Sequence, residues 1–455
     1  MKAEEKLVNF VHDTRFGDIP PAALKTVKHQ VLAVIGTTIA GATADGCAAA
    51  IQLYKELGGE EEATILVHGG RIPAHGAAFV NGVMARALDF CDSIAPGPHP
   101  GSAVIPAALA ASELKGGCSG QDFLTAVAIG TEVAARLNLS EAAYDGFDPT
   151  GICVPFGAAA AAARILGLNQ KEIWNALALA FNDCGGSFQS HIDGSLGVRF
   201  VQGRVAQSGV MSARLASKGI TGPRNFLDGV YGYYHLYGKD TATGETALSG
   251  LGSGYHLLGL VFKRYPSCAL TAGSTEVILR LMGEEGLHAD GIERIDITVP
   301  PYTYKLVGHP FEIGDNPKVN AQFSIQYCVA NALLRKSSKL FHFEEDSIKD
   351  PRIAALTKRI NIIEDRALEA RGHTPLDMRV VTRSGKEYFR TLDVAPGFPG
   401  NELSQGDHEE RFWDCIEFAG QRIARESAEK IVSLVNGIEA LEDIRTMISL
   451  LLPKA

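Results

Sequence analysis

Apolar residues return every three to four positions through most of the first 250 residues. This predicts helices over 3–14, 21–41, 45–57, 74–92, 103–114, 120–137, 153–166, 170–183 and 203–217. Such a succession describes an all-α body. Inside it, Phe156 and Gly157 lead into six alanines ending at Ala163, side chains too small to hold helices apart, so this stretch is expected at close helix crossings. The one β-like run there, Thr64 to His68, ends at Gly69 and Gly70, which predicts a small hairpin.

After Gly254 the period changes. Ile295, Ile297 and Val299 alternate with Asp296 and Thr298, and strands are expected over 257–264, 292–299, 377–383 and 386–394, with helices over 270–285, 319–335 and 351–361. Residues 396–400, Pro-Gly-Phe-Pro-Gly, read as a linker, and 407–450 turn helical again. The expected architecture is mainly α. A large all-α domain would span 1–254 and 398–455, and a smaller α+β lid domain would be inserted at 255–397, with a ligand cleft at the junction.

At 455 residues the chain exceeds what one core serves, which fits two domains. A net charge of −9 without a basic stripe argues against a nucleic-acid partner. The start lacks a signal-peptide core, and charged residues or glycines break the alanine-rich runs before about 20 residues, so no membrane partner and a cytoplasmic location are expected. Eight scattered cysteines without a C-x-x-C pair read as reduced, mostly buried thiols, with no metal site. The glycines are dispersed, with no nucleotide-binding loop among them.

The densest chemistry lies at 88–104. On a helix reaching 92, Asp89, Asp92 and Ser93 would share one face at i, i+3 and i+4. Pro96, Pro98 and Pro100 stiffen the loop that presents His99, and Ser102 is the expected N-cap of a helix beginning at Ala103. An imidazole titrating near neutrality suits proton transfer in both directions; the plain alternative is a loop histidine held by a carbonyl. Asp89 would orient or charge-balance His99, or else be a terminal acid at the unfavourable end of a helix dipole. Asp92 reads equally as a solvated acid or an arginine's partner, and Ser93 as a donor to a carboxylate or to backbone.

Five motifs then fall in order: Leu88-Asp89-Phe90-Cys91-Asp92-Ser93 with His99-Pro100-Gly101; Gly146-Phe147-Asp148-Pro149-Thr150-Gly151 with the run from Phe156 to Leu168; Ala206-Gln207-Ser208-Gly209 with Gly219 to Pro223; Lys263 to Cys268; and Ala321 to Tyr327. Together they resemble the MmgE/PrpD family over almost the whole chain. The resemblance implies a large helical domain with an α/β lid, a homodimer, and a cofactor-independent active site at the domain junction for small polycarboxylates. It also matches Asp89, Ser93, His99, Lys263 and Tyr327 to active-site positions. Several positions depart from the family pattern: Asp148 stands where a histidine is common, Val198 (beside Arg199) replaces a lysine, and Val201 and Ala272 replace histidines. Each substrate carboxylate needs charge-assisted donors, and Arg199, Arg204, His191 and Arg264 are the candidates to make good the loss.

Lys263, at a strand end, would clamp a carboxylate or steady an enolate-like charge; its plain reading is a surface lysine. Tyr327, in an apolar helix with Phe323 one turn earlier, would line the cleft or simply pack in the core. Asp148 would either face the substrate or support the turn ahead of Pro149. The expected function is a lyase acting on the C–H bond α to a carboxylate of a small hydroxy or polycarboxylic acid, most simply by eliminating water, without a cofactor. His99, Asp89, Lys263 and Tyr327 would be catalytic, and Ser93, Asp148, Arg199 and Arg264 would bind substrate. An epimerase, a decarboxylase and a non-catalytic acid-binding protein are the alternatives.

Overall fold

The computed structural model describes residues 2–420 and 422–453. The chain divides into two compact units, Met1–Leu260 with Cys415–Ala455, and Val261–Asp414. The first is helical: α1 (Ala3–Asp13), α2 (Pro21–Gly41), α3 (Cys47–Leu57), α4 (Ala74–Arg86), α5 (Gly101–Lys115), α6 (Gly120–Arg136), α7 (Pro149–Leu166), α8 (Gln170–Asn182), the single turn α9 (Gln189–Ile192) and α10 (Gly197–Ser217). Local chemistry sets these boundaries. Proline occupies the first turn of α2 and α7, and Ser119 and Asn169 cap α6 and α8 through their side chains. Left-handed Gly116 and Gly167 end α5 and α7. The expected hairpin is present as β1 (Ala63–Thr64) against β2 (Arg71–Ile72).

α7 lies at the centre, packed on α5, α6, α8 and α10, with its alanine run fully buried. By length and composition α7 could cross a bilayer, but 89% of its apolar window is buried within the unit. Where α6 meets α7 the backbones touch: a Cβ on Gly157 would stand 2.3 Å from the Gly130 carbonyl oxygen. The C-terminal part of this unit lies on the same body. Lys28 of α2 pairs with Glu439 at 2.7 Å, and the Val67 amide donates to the Leu451 carbonyl at 2.8 Å.

The second unit is built on a four-stranded sheet. The strands β5 (Ile292–Val299), β6 (Ile360–Glu364), β7 (Leu376–Thr382) and β8 (Glu387–Leu392) lie in the order β6-β5-β7-β8. β5 runs parallel to β6 and antiparallel to β7, which forms a hairpin with β8. The period-two expectation holds, since Ile295, Ile297 and Val299 face a core shared with Ile278, Leu281, Tyr327 and Val329. Four expectations change. The helix expected over 351–361 ends at Thr357, and 360–364 is strand β6. Residues 257–264 give only the three-residue strand β4 (Leu260–Phe262). The helix expected over 319–335 is two, Pro317–Gln322 and Ile325–Arg335, the second capped by Ser324. The expected linker at 396–400 lies inside this unit, where the Phe262 amide donates to the Gly397 carbonyl at 3.0 Å.

Candidate active site

α4 ends at Arg86, well short of 92. The next turn closes with Asp89 in a left-handed conformation, φ 53°, a region that aspartate tolerates better than most residues, and the chain leaves as the strand β3 (Asp92–Ile94). The expected helical face of Asp89, Asp92 and Ser93 therefore does not exist. Along β3 Asp92 and Ile94 point inward, and Ser93, on the other side, is half-buried.

The Asp92 side chain is fully buried, yet its Oδ2 accepts from the Gln30 amide at 2.9 Å and from the Gly101 N–H at 3.0 Å. It is thus neither a solvated acid nor, in these two bonds, an arginine's partner. It ties β3 to α2 and to the start of α5, the helix end that favours a carboxylate. α5 begins at Gly101, so Ser102 is not its cap; its hydroxyl donates to Gln202 Oε1 at 3.1 Å. Only glycine fits at 101, because a Cβ there would stand 2.2 Å from Asp92 Oδ1.

This frame holds His99. Its Nδ1 lies 2.6 Å from the Asp92 carbonyl oxygen, and a carbonyl can only accept, so Nδ1 carries the hydrogen. The neutral ring is then the Nδ1–H tautomer, and Nε2 is the nitrogen that takes up a proton. Cys91 Sγ lies 3.5 Å from the same Nδ1, and the His99 backbone N–H donates to Thr150 Oγ1 at 3.1 Å.

Asp89 Oδ1 accepts from Arg86 Nη1 at 2.6 Å, and the Arg86 side chain is 5% exposed. Burial by itself would lower the Arg86 pKa; the electrostatic pull of Asp89, with Cys91 and Asp148 nearby, outweighs it and holds the guanidinium above its ordinary value. Asp148 caps α7, accepting from the Thr150 N–H at 2.8 Å, with its other oxygen 3.9 Å from His191 Nδ1. Arg199 donates to the Asp45 carbonyl at 2.6 Å. Burial, aided by the like charge of Arg86, lowers its pKa against the pull of Cys47 and Asp45. Val201 packs beside Gly151 and Gly186, close to Asp148.

In the second unit Lys263 is buried rather than a surface lysine. Arg264 is held by two acids, Asp407 at 3.0 Å and Glu410 at 2.8 Å, so its charge is already matched. Tyr327 is fully buried between Phe311 and Phe343, and its hydroxyl donates to the His342 carbonyl. Burial pushes its pKa up, with Arg335 acting the other way. Phe323 belongs to the break before the Tyr327 helix rather than to a shared turn.

Residues 5–245 match the MmgE/PrpD N-terminal domain, and residues 265–436 match the MmgE/PrpD C-terminal domain. The chain belongs to the MmgE/PrpD family. Among its relatives, the cis-aconitate decarboxylase of Homo sapiens is 27% identical over 464 residues, covering 98% of this chain and 94% of that protein. The 2-methylcitrate dehydratase of Escherichia coli (strain K12) is 28% identical over 350 residues, 70% of each chain, and that of Cupriavidus necator is 26% identical over 401 residues. These relatives are enzymes.

Within this MmgE/PrpD chain the structure adds residues that the pattern reading passed over. Thr150 anchors the His99 backbone, Gln30 anchors Asp92, and Arg86 neutralises Asp89. Only Arg86 left a signal in the sequence, as a cation three positions before an acid. Gln30 and Thr150 lie 62 and 51 residues from their partners; Thr150 stands in the 146–151 motif, but nothing in the spacing ties it to His99. Among the described residues no group of three or more His, Cys, Asp or Glu side chains is placed to hold a metal ion.

Proposed function

We propose that the protein is a lyase that moves a proton at the carbon α to a carboxylate of a small hydroxy or polycarboxylic acid, with His99 as the proton carrier and loss of water from a β-hydroxy acid as its reaction. The tautomer of His99 carries this reading: the Asp92 carbonyl holds the hydrogen on Nδ1, leaving Nε2 as the base. Family membership supports the substrate class, since both groups of relatives are named for acting on small polycarboxylates. Asp89 with Arg86 forms a charge-balanced pair in the same unit, and Arg199 offers a cation to a carboxylate. In the second unit buried Lys263 is the cation proposed to hold a substrate carboxylate, and Lys263→Met is expected to raise KM.

Proton NMR in deuterated buffer, with malate, citrate, 2-methylcitrate and cis-aconitate as the panel, tests the proposal. An α-proton signal should disappear, or an olefin resonance should grow, with wild-type protein. His99→Ala should slow this by about 10²–10⁴-fold. Full turnover by His99→Ala would refute the assignment.

One observation favours a second reading, decarboxylation. The match to the human cis-aconitate decarboxylase runs nearly end to end, whereas that to the Escherichia coli dehydratase covers 70% of each chain. Release of carbon dioxide from cis-aconitate without prior hydration would select it.

A further inference from the structure

Elimination needs a base for the α-proton and an acid for the departing hydroxyl, and a single histidine serves both only by moving. The helical unit holds a second histidine joined to the same helix start, α7. Two segments converge on the first turn of α7. From one side comes the loop carrying His99, whose backbone N–H bonds Thr150 Oγ1. From the other side comes 185–188, fastened to 146–151 by backbone bonds from Gly185 to Gly151, Asp148 to Gly186 and Phe188 to Gly146, at 2.9, 3.1 and 2.8 Å. This second segment leads directly into α9 and His191. The ring of His191 is stacked on Phe188, centroids 4.3 Å apart and planes 9° apart, with its Nδ1 3.9 Å from Asp148 Oδ2 and 23% of its side chain exposed.

The two rings have different surroundings. His99 gives its Nδ1–H to a carbonyl, a neutral acceptor that steadies an imidazolium less than a carboxylate does. His191 lies beside a carboxylate and over an aromatic face, both of which favour an imidazolium. Paired titratable groups whose environments differ in this sense divide acid and base work between them. We propose that His191, positioned by Asp148 and Phe188, is the second proton carrier of this site and protonates the leaving hydroxyl.

The inference rests on the reaction proposed above. His99 Nε2 takes the α-proton and leaves an enolate-like carbanion, which solvent can reprotonate through His99; the carbanion's electron pair then becomes the C=C bond as the C–O bond breaks, and the hydroxyl leaves with the His191 proton as water. Solvent then removes a proton from His99 and returns one to His191, so protons and electrons balance.

The experiment separates the two steps. For the panel acid that reacts, exchange of the α-proton with deuterated solvent and net formation of olefin are followed by NMR in wild type, His99→Ala and His191→Gln. Wild type should show both, His99→Ala neither. His191→Gln should keep exchange within about threefold while olefin formation falls by about 10²-fold or more. Asp148→Asn, which keeps an N-cap side chain at α7, should show the same split in smaller measure and stands in if His191→Gln fails to fold. If wild type reacts and both rates survive in these variants, or both fall together in folded protein, the role of His191 is overturned. If wild type shows neither process with any panel acid, it is the proposed reaction that fails.

Discussion

Asp92 does two jobs with separate atoms. Its carbonyl sets the tautomer of His99, and its buried carboxylate receives Gln30 and the first amide of α5. Asp92→Ala leaves both donors buried without an acceptor, at about 1–3 kcal/mol each, so the urea midpoint should drop clearly while the expression of a folded chain tests survival. Arg136 is the second buried charge on which much depends. It pairs with Glu132 at 2.6 Å, both side chains at most 1% exposed, and its other nitrogens hold the carbonyls of Ala247, Ser249, Gly250 and Gly254. Arg136→Met strands a buried carboxylate and should cost about 3–5 kcal/mol in urea unfolding. A loss below 1 kcal/mol would mean that water reaches Glu132. At this scale the sequence offered two readings of His99, proton carrier and loop histidine bonded to a carbonyl. The structure contains the carbonyl bond, and it is that bond which makes Nε2 the basic nitrogen, so the plain arrangement also equips the proposed one.

Helices in the first unit follow the apolar period closely, since burying one face of each helix is what the period encodes. The exceptions have local causes. α4 stops early although Leu88, Phe90 and Cys91 continue the apolar pattern, because Asp89 takes a left-handed conformation that periodicity does not register. α7 starts at Pro149 rather than 153, because Asp148 caps it and proline suits its first turn. In the second unit Ile360, Ile362 and Ile363 fit either period, and pairing with β5 decides for strand. Packing between elements gives two opposed expectations. Gly157→Ala pushes a Cβ into the Gly130 carbonyl and should lower stability by about 1–3 kcal/mol. Gly283→Ala, in the exposed last turns of Ala272–Glu285 with open space around it, should raise stability by up to about 1 kcal/mol. A Gly157→Ala urea midpoint at or above that of wild type would contradict the close α6–α7 crossing, and a lowered Gly283→Ala midpoint would contradict the open space at that turn.

Over the whole molecule, acid sensitivity follows from carboxylates held below their ordinary pKa. Arg352 lowers that of Asp350 to about 2. Burial would raise the Glu62 pKa, but two bonds from Arg214 outweigh it, and Arg445 depresses Asp443. A depressed folded pKa gives stability that is complete above the unfolded value near 4 and is lost as pH falls through the folded value. The urea midpoint should therefore fall between pH 5 and pH 2, and Asp350→Asn should flatten the lower part of that fall; an unchanged slope would assign the loss to other acids. By itself the sequence determined the helical body, the alternating core strand at 292–299, the mostly buried thiols and the family, because each is written in neighbouring residues whose period or order survives without the fold. The tertiary structure decided the surroundings of the candidate residues: that Asp92 rather than Asp89 holds the His99 hydrogen, that Arg264 is taken by two acids, that Tyr327 is buried between Phe311 and Phe343, and that His191 comes to the start of α7. Those relations join residues far apart in the chain, and a hydrogen bond or an ion pair depends on distance and direction in space, which spacing along the sequence does not record.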